Sequence, residues 1–415
     1  MKILISAYAC ETGRGSEGEN AWRIVHELAK FHQVRVVTRA NLRHIHNAAF
    51  VGTGKPLGLS FEYFDLPWVF RFYKKGKRGF LLYYYLWQFG VTFLVRGMLR
   101  KEPADVLHHL TGGMDWMPAG LALCSGPFLW GPVGSENTHP IILRHQPIQS
   151  RLKASARVII RWIMRNLDPF TRITGLRANV VLSHTPETMP KRYAKRLKPF
   201  MQTCIADLPS LARPKTNFIR QPCLKIVYAG ELKDWKGAQM ALEASLMHFE
   251  TSAAAELVVI GDGPLRNKLQ GVCIAHPNGS QVRFLGKMPM SQLIEELHSA
   301  DLFLYPSFHH GLAIIVLQAM LTGIPVICIE GDAIGRAIRQ EAGITVPLLE
   351  NEPPAVALAQ AISRLAENES LRVELAKNAR RIALERYSYV TLAKEISEIY
   401  SSLANPLRSG GDQDV

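Results

Sequence analysis

Few cysteines occur in this sequence, and none stands in a spacing that would hold a metal ion or a set of disulfides. Its 415 residues include six cysteines, with no C-x-x-C pair among them. Zinc sites and small disulfide-stapled domains depend on such paired spacing. We therefore expect neither a zinc site nor a disulfide framework, and a reducing compartment fits the unpaired cysteines best.

Signals for secretion and for membrane insertion are also scarce. The opening MKILISAYAC lacks the basic start and the small-residue cleavage site of a secretory signal, and it predicts a buried strand instead. Residues 79–95, GFLLYYYLWQFGVTFLV, form an uncharged run of 17 residues that includes Gln88 and Thr92. A spanning helix needs about 18. The pattern favours a buried helix, with an interfacial helix, flanked by basic residues, and a true span as the alternatives.

Acidic residues are scarce in the first half of the chain. Residues 1–200 contain 29 Lys and Arg against 12 Asp and Glu, a net charge of +17, whereas residues 201–415 have a net charge of −3. This asymmetry predicts an anionic partner for the first half. No nucleic-acid-binding motif accompanies the charge, so nucleic acid is disfavoured as that partner.

A basic amphipathic helix is predicted within this half. Arg157, Arg161 and Arg165 recur every four residues beside apolar side chains. The spacing fits a helix with one basic face. An ordinary solvated face and a role at a membrane surface explain it equally well.

Both halves alternate apolar strand segments with helical segments, which is typical of parallel βαβ units. Three prolines and no apolar periodicity mark residues 207–222 as a linker. We predict an N-terminal domain over 1–206, a second domain over 223–385, and a helix over 386–404 that packs back on the first domain. Residues 405–415 are predicted to be a disordered tail.

A glycine-rich loop follows the first predicted strand. Gly13, Gly15 and Ser16 lie in ETGRGSEGEN, immediately before a predicted helix. Glycines let the backbone approach a ligand, and the helix start offers free N–H groups to an anion. A plain tight turn explains the loop equally well. No acidic residue closes the next strand, VVTRA, so a dinucleotide cofactor is disfavoured.

Two strand-to-helix turns in the second half are candidate phosphate sites. YAGELKDWKG places Glu231 after a strand and Lys236 at the start of a helix, where a lysine can neutralise a phosphate. VVIGDGPLR places Gly263 in a similar turn. A solvated lysine and an ordinary α/β connection are the alternative explanations.

The segment 305–333, YPSFHHGLAIIVLQAMLTGIPVICIEGDA, carries the strongest signal. His310 stands at the entrance of a helix, and Gln318 lies slightly more than two turns further along it. This arrangement can hold a sugar and a ribose on either side of a diphosphate.

The second half resembles the retaining sugar-nucleotide glycosyltransferases of family 4, which have the GT-B fold. The matching segments, in order, are YAGEL with the following KG, LVVIGDGPLR, VRFLGKM, ADLFLYPS and the LQAM-TG-PVI block. In the first half, ACETGRGSEG, LLYYYLWQ, HHLTGGMDWMP, FLWGPVGSE and LSHTPET are similar to segments of a bacterial polysaccharide-type subgroup. The resemblance covers about residues 1–400. It implies an α/β fold of two Rossmann-like, doubly wound domains that face each other across a cleft. It also implies that the N-terminal domain (1–206) is the acceptor side and that the C-terminal domain (223–385) binds the nucleotide sugar.

The resemblance also assigns donor contacts, with departures from the family pattern. His310 and Gln318 stand where the family has two glutamates that contact the donor sugar and the ribose. A histidine and an amide can still hydrogen-bond hydroxyl groups. The backbone of Gly311, Leu312 and Ala313 would line the same site.

A second departure concerns the diphosphate, which the family holds with an arginine and a lysine. Glu231 replaces the arginine, and Lys236 matches the lysine. A carboxylate repels a diphosphate. Either Arg336 or Arg14 compensates, or donor binding is weakened or lost.

In the first half, the resemblance points to the end of the strand DVLHH. A histidine there reaches the hydroxymethyl group of the donor sugar, and His108 and His109 both fit. One buried structural histidine beside an exposed one is the alternative. Gly134, in GPVGSE, is expected to face the ligand from the first domain.

Together these features predict a glycosyltransferase that moves a hexosyl unit from a nucleotide-diphosphate sugar to a glycan or lipid-linked acceptor, with retention. The catalytic candidates are His109, His108, Lys236 and His310. We expect no cofactor besides the donor substrate and no metal ion, because no D-x-D-like motif stands in the relevant position. The predicted location is cytoplasmic, at the inner face of the plasma membrane. A catalytically impaired partner in polysaccharide assembly is the main alternative, and a sugar-nucleotide epimerase is a weaker one.

Overall fold

The structure, a computed structural model, divides into two compact units. Unit 1 comprises residues 1–137, 152–202 and 389–415, and unit 2 comprises residues 138–151 and 203–388. The structure describes residues 1–12, 16–52, 54–74, 76, 78–134, 148–200, 204, 223–252, 254–307, 313–330, 333–338, 341–348 and 352–405.

Unit 1 alternates strands and helices along most of its length. Its strands are β1 (Lys2–Ser6), β2 (Gln33–Arg39), β3 (Leu59–Phe64), β4 (Val106–His109), β5 (Phe128–Val133), β6 (Val180–Ser183) and β7 (Leu197–Pro199). Its helices are α1 (Ser16–Leu28), α2 (Arg43–Ala49), α3 (Phe80–Lys101), α4 (Ile148–Leu167, which begins in unit 2), α5 (Pro169–Arg177) and α13 (Tyr389–Ala404).

The strands of unit 1 form a seven-stranded parallel sheet in the order β3-β2-β1-β4-β5-β6-β7. Every residue of β4 and β5 is buried. Central parallel strands are covered on both faces by helices, so their sequences are apolar throughout. The order reverses between β1 and β4, which creates a switch point at the carboxyl ends of these strands.

The uncharged run at 79–95 is part of helix α3, and one face of that helix lies in the core of unit 1. Tyr84, Trp87 and Val91 are fully buried there, beside Trp130 of β5. The favoured prediction of a buried helix is confirmed for this face, whereas Leu82 and Phe93 on another face are exposed. Within the residues that the structure describes, no helix combines the length and the hydropathy that a membrane span requires.

The last helix, α13, packs on unit 1 through buried polar contacts. The Tyr389 hydroxyl donates to Asn20 Oδ1 over 2.6 Å. Tyr400 Oη lies 2.6 Å from His108 Nδ1. The chain therefore returns from unit 2 to unit 1 before residue 389.

Unit 2 contains a second alternating series. Its strands are β8 (Leu224–Ala229), β9 (Ala255–Ile260), β10 (Val282–Gly286), β11 (Leu302–Leu304), β12 (Val326–Ile329) and β13 (Gly343–Val346). Its helices are α6 (Ala238–Thr251), α7 (Arg266–Ala275), α8 (Met290–Ser299), α9 (Ile314–Thr322), α10 (Ala333–Ile338), α11 (Pro354–Glu367) and α12 (Glu369–Arg386). The six-stranded parallel sheet has the order β10-β9-β8-β11-β12-β13, so its switch point lies between β8 and β11.

The prediction of two doubly wound α/β domains is confirmed, and several elements differ in detail. The helix predicted over 386–404 begins at Tyr389, and a separate helix, α12, ends at Arg386. Strands β3, β7 and β13 were not predicted. Each lies at a sheet edge, and their mixed exposure removes the apolar run that marks a central strand. The predicted linker at 207–222 and the tail after 405 lie outside the described residues.

Candidate functional site

His108 and His109 lie at the switch point of unit 1, and their side chains face opposite sides of the sheet because successive strand residues alternate. Both ring nitrogens of His108 are engaged, one with Tyr400 and the other with the Gly131 carbonyl oxygen at 2.7 Å. His108 is thus a buried structural histidine. Neither ring nitrogen of His108 is left to bind a ligand, in contrast to His109.

His109 is also buried, yet it has an uncommitted ring atom. Its Nε2 lies 3.2 Å from the Tyr84 hydroxyl. Its Nδ1 is buried and has no hydrogen-bond partner within the described part of the chain. Buried polar atoms are normally paired, so an unpaired one calls for an explanation such as a ligand contact.

Both imidazoles are neutral at physiological pH. Burial lowers the pKa of His108 to about 4, although its hydrogen bond to the Gly131 carbonyl acts in the opposite direction. Burial, with a smaller contribution from His108, lowers the pKa of His109 to about 3. A neutral imidazole can both donate and accept a hydrogen bond, as recognition of a sugar hydroxyl requires.

The glycine loop after β4 is held by a carboxylate. Glu17, in the first turn of α1, accepts hydrogen bonds from the backbone N–H groups of Gly112 at 2.6 Å and Gly113 at 3.1 Å. A Cβ at Gly112 would lie 1.8 Å from the Tyr84 hydroxyl, and Gly112 has a φ of +90°. Because the loop passes directly over the Tyr84 hydroxyl with a positive φ, only glycine fits this position.

Gly134 lies beside the same loop. Its N–H donates to the Gly113 carbonyl oxygen over 2.9 Å. A Cβ at this position would meet Thr185 Oγ1 at 2.4 Å and His184 Nε2 at 2.7 Å. The predicted ligand-facing residue Gly134 therefore belongs to a tightly packed group at the carboxyl ends of β4, β5 and β6.

In unit 2, the carboxylate of Glu231 follows strand β8 and is paired locally. Its Oε1 lies 2.6 Å from Lys233 Nζ. The Lys233 ammonium also lies over the ring of Trp235, 5.1 Å from its centroid. Glu231 thus sits in a local group whose lysine offsets its negative charge.

Helix α6 begins beside the switch point of unit 2. Lys236 ends a short 3-10 turn, and Gly237 follows with a φ of +76°. A Cβ at Gly237 would lie 2.0 Å from the carbonyl oxygen of Pro306, in the segment after β11. The close approach requires glycine, and it places the free N–H groups of the α6 start at the carboxyl end of the sheet.

Gly263 lies in the turn after β9, which packs against the segment after β8. A Cβ at Gly263 would meet the Leu232 carbonyl oxygen at 2.5 Å. The N–H of Leu232 donates to the Asp262 carbonyl oxygen over 3.1 Å. The structure thus brings Glu231 and Lys236, predicted from one motif, and Gly263, predicted from another, to one edge of the sheet.

Gln318 lies on α9 and is almost wholly buried. Its Nε2 donates to the Met290 Sδ at 3.4 Å. Ala313 caps the start of that helix with extended backbone. The remaining predicted residues Gly13, Gly15, His310, Gly311 and Leu312 lie outside the described residues, and of Ser16 only its place at the start of α1 is described.

Sequence reasoning missed Glu17, Tyr84 and Lys233. Glu17 stands 95 residues from Gly112, and no local pattern links the two. Lys233 was discoverable, because it stands two residues from Glu231 and two from Trp235. Where the structure describes side chains, no group of three or more His, Cys, Asp or Glu is placed to hold a metal ion.

The two Rossmann-like parallel sheets correspond to the GT-B fold. A crystal structure of Alr3699/HepE from Anabaena in complex with UDP superposes with a TM-score of 0.60 at 17% identity, covering 97% of this chain and 100% of that one. At this identity, the likeness concerns the fold.

Sequence similarity points in the same direction. Residues 213–382, which lie in unit 2, match the family model of glycosyl transferases group 1. An uncharacterized glycosyltransferase of Methanocaldococcus jannaschii, MJ1607, is 28% identical over 176 residues, which is 42% of this chain and 44% of that protein. The amylovoran biosynthesis glycosyltransferase AmsK of Erwinia amylovora is 28% identical over 156 residues, 36% of this chain and 37% of its own. The chain thus aligns with less than half the length of these relatives.

Proposed function

We propose that this protein is a retaining glycosyltransferase of family 4, which transfers a hexosyl unit from a nucleotide-diphosphate sugar to a glycan or lipid-linked acceptor. The observation that carries the proposal is the start of α6. Lys236 and the helix N–H groups stand at the switch point of unit 2, inside the segment that matches group 1 glycosyl transferases. The HepE structure, which has the same fold, contains UDP.

The chemistry of this helix start suits a leaving diphosphate. Helix N-termini carry partial positive charge and unpaired N–H donors, which attract phosphate groups. Lys236 adds a full positive charge beside them. Such groups stabilise the negative charge that develops on the diphosphate as the sugar leaves.

The paired state of Glu231 supports this assignment. An isolated carboxylate at this place would repel the donor. Because Lys233 lies 2.6 Å from Glu231 Oε1, the pair contributes little net charge to the sheet edge. The departure from the family pattern is therefore compatible with donor binding.

In unit 1, His109 is the residue to which we assign contact with the sugar. Its neutral ring and its unpaired, buried Nδ1 suit a hydrogen bond to a hydroxyl group. The adjoining glycine loop brings backbone close to the same place. His108 is assigned a structural role.

A second candidate function is a catalytically impaired protein that assists polysaccharide assembly. The observation that favours it is the orientation of Gln318. Its amide nitrogen is engaged by Met290 within unit 2 rather than presented to a ligand. A relative in the biosynthesis of a polysaccharide, AmsK, fits either function.

A ligand screen discriminates between the two functions. Thermal unfolding of the full chain should be measured with UDP, GDP, ADP and their glucose derivatives. A ligand that binds only the folded chain, present at a concentration about 100 times its Kd, raises the free energy of unfolding by about 2.7 kcal/mol. A rise of the melting temperature with one nucleotide series supports the transferase, and no rise with any of them supports the assembly partner.

We place the protein at the cytoplasmic face of the plasma membrane, where lipid-linked acceptors are extended. The positive charge of residues 1–200 supports this location.

A further inference from the structure

Helix α4 turns its apolar face away from the protein. Leu152, Ala156, Ile159, Ile163 and Leu167 follow one another at steps of three and four residues, so they share one face of the helix. All five are exposed, with Leu152 at 66% and Leu167 at 63%. A surface helix of a globular protein ordinarily points this stripe into the core.

The inner side of α4 carries two arginines beside Met164, which packs on the core of unit 1. Arg161 and Arg165, one turn apart, are only partly exposed. Arg165 forms an ion pair with the buried carboxylate of Asp115, and its Nη1 donates to the Thr188 carbonyl oxygen at 2.8 Å. Because these contacts fix Arg165 inward, the apolar stripe on the opposite side of the helix faces outward.

Helices α3 and α5 meet at the end of α4, where the Tyr85 hydroxyl of α3 donates to Oδ1 of Asp168, the residue between α4 and α5, over 2.7 Å. Phe89 of α3 packs edge-on against Phe170 of α5, with ring centroids 4.5 Å apart. On the outside of α3, Leu82 and Phe93 are exposed, the latter at 72%. On α5 and α4, further exposed apolar side chains are Ile173, Leu176, Ile160 and Trp162.

The charge of this surface selects the partner. Helices α3, α4 and α5 together contain ten Lys and Arg and no Asp or Glu. Among them, Arg151, Lys153 and Arg157 are exposed at the first turns of α4, beside the apolar stripe. A two-fold contact with a second copy would bring like charges together.

We propose that the outward faces of α3, α4 and α5 form a docking surface for an anionic lipid bilayer. The apolar stripe of α4 enters the boundary between headgroups and acyl chains, and the flanking cations contact anionic headgroups. The proposal rests on the proposed function only in that a lipid-linked acceptor lies in such a membrane. Docking itself requires neither donor nor catalysis.

Vesicle co-sedimentation of the full chain tests the docking surface. Vesicles of phosphatidylcholine alone are compared with vesicles that also contain phosphatidylglycerol, at low and high salt. The wild type should bind only the anionic vesicles, and added salt should weaken the binding.

Two sets of variants separate the apolar and the charged contributions. The Ile159→Ser, Ile163→Ser variant should lower partitioning at least about 10-fold, because both side chains are exposed in the free protein and buried in the bilayer. The Arg151→Gln, Lys153→Gln, Arg157→Gln variant should lower it about 100-fold at low salt. The matched control removes three exposed lysines of unit 2, Lys268, Lys287 and Lys377, and should bind like the wild type.

Several results would overturn the proposal. These are equal binding to neutral and anionic vesicles, partitioning that the α4 variants leave unchanged, and a dimer in solution that the Ile159→Ser, Ile163→Ser variant dissociates. Binding to a soluble acidic polysaccharide without binding to vesicles would also overturn it. The vesicle experiment contains no nucleotide, so its outcome does not depend on donor binding. A chain that bound anionic vesicles but no nucleotide would support the docking surface and contradict the proposed function.

Discussion

The backbone amides of Gly112 and Gly113 donate to the carboxylate of Glu17, and this contact fixes the loop at the end of β4. No local sequence pattern predicts it, because the partners are distant along the chain and meet only when α1 packs beside the switch point. The glycines themselves were recognisable in HHLTGGMDWMP. Their steric reason, the Tyr84 hydroxyl beneath Gly112, becomes evident only in the folded unit.

We predict that Glu17→Ala lowers the free energy of unfolding by about 1–3 kcal/mol, because two partly buried N–H groups lose their acceptor. Glu17→Gln should lose less, since its amide oxygen can accept the same bonds. Urea denaturation of both variants measures the difference. The exposed Glu62, changed to alanine, is the control. Equal stability of Glu17→Ala and the wild type would refute the role of this carboxylate.

The two histidines of β4 predict a specific dependence of stability on pH. Their pKa values, about 4 and about 3, lie below the value of about 6.5 in the unfolded chain. On acidification the unfolded state therefore takes up protons first, and the folded state loses stability as pH falls below about 6.5. Each histidine should contribute a loss on the order of 2 kcal/mol between pH 7 and pH 5.

Denaturation of the wild type and of His109→Gln at both pH values checks this prediction. The variant should lose less stability on acidification than the wild type, whatever its stability at pH 7. The same pH dependence in both proteins would show that His109 does not titrate as its burial requires.

Among the elements, the central strands and many of the helices were predictable, while the faces that helices bury were not. The apolar runs of β8, β9 and β12 are the pattern of buried parallel strands, and the structure has a largely buried parallel strand at each of them. For α4, periodicity identified a basic amphipathic helix. Which face of α4 is exposed depends on the ion pair of Arg165 with Asp115, which is distant along the chain. The spacing of the apolar residues alone therefore does not predict it.

Helix α13 packs on unit 1, and a variant of Tyr400 tests how much this packing stabilises the fold. The Tyr400 hydroxyl is the partner of His108 Nδ1 in the interior. Tyr400→Phe leaves that nitrogen without its partner, at a cost of about 1–3 kcal/mol. Guanidinium denaturation should show this loss, and Ser401→Ala, at an exposed neighbour, should be near the wild type. A Tyr400→Phe variant as stable as the wild type would contradict the contact.

For the whole molecule, the order of motifs along the sequence was sufficient to predict the fold. Parallel βαβ units admit few topologies, and both sheets have the strand order that reverses once at a central switch point. The candidate donor site followed from the same rule, since Lys236 and Gly263 both stand after strands of one sheet. The pairing of Glu231 with Lys233 and of Gln318 with Met290 depends on side-chain conformation, which motif spacing does not determine.

Calorimetric titration of the full chain with UDP measures whether unit 2 binds a nucleotide diphosphate at the start of α6, as we propose. We expect one saturable site in the wild type. Lys236→Ala should weaken binding about 10- to 100-fold, because a charge-assisted contact is worth about 1.5–3 kcal/mol. Lys287→Ala, at an exposed lysine of the same unit, should bind like the wild type. Two results would contradict binding at the start of α6. One is an affinity for UDP that Lys236→Ala leaves unchanged, and the other is a wild type that binds none of UDP, GDP and ADP.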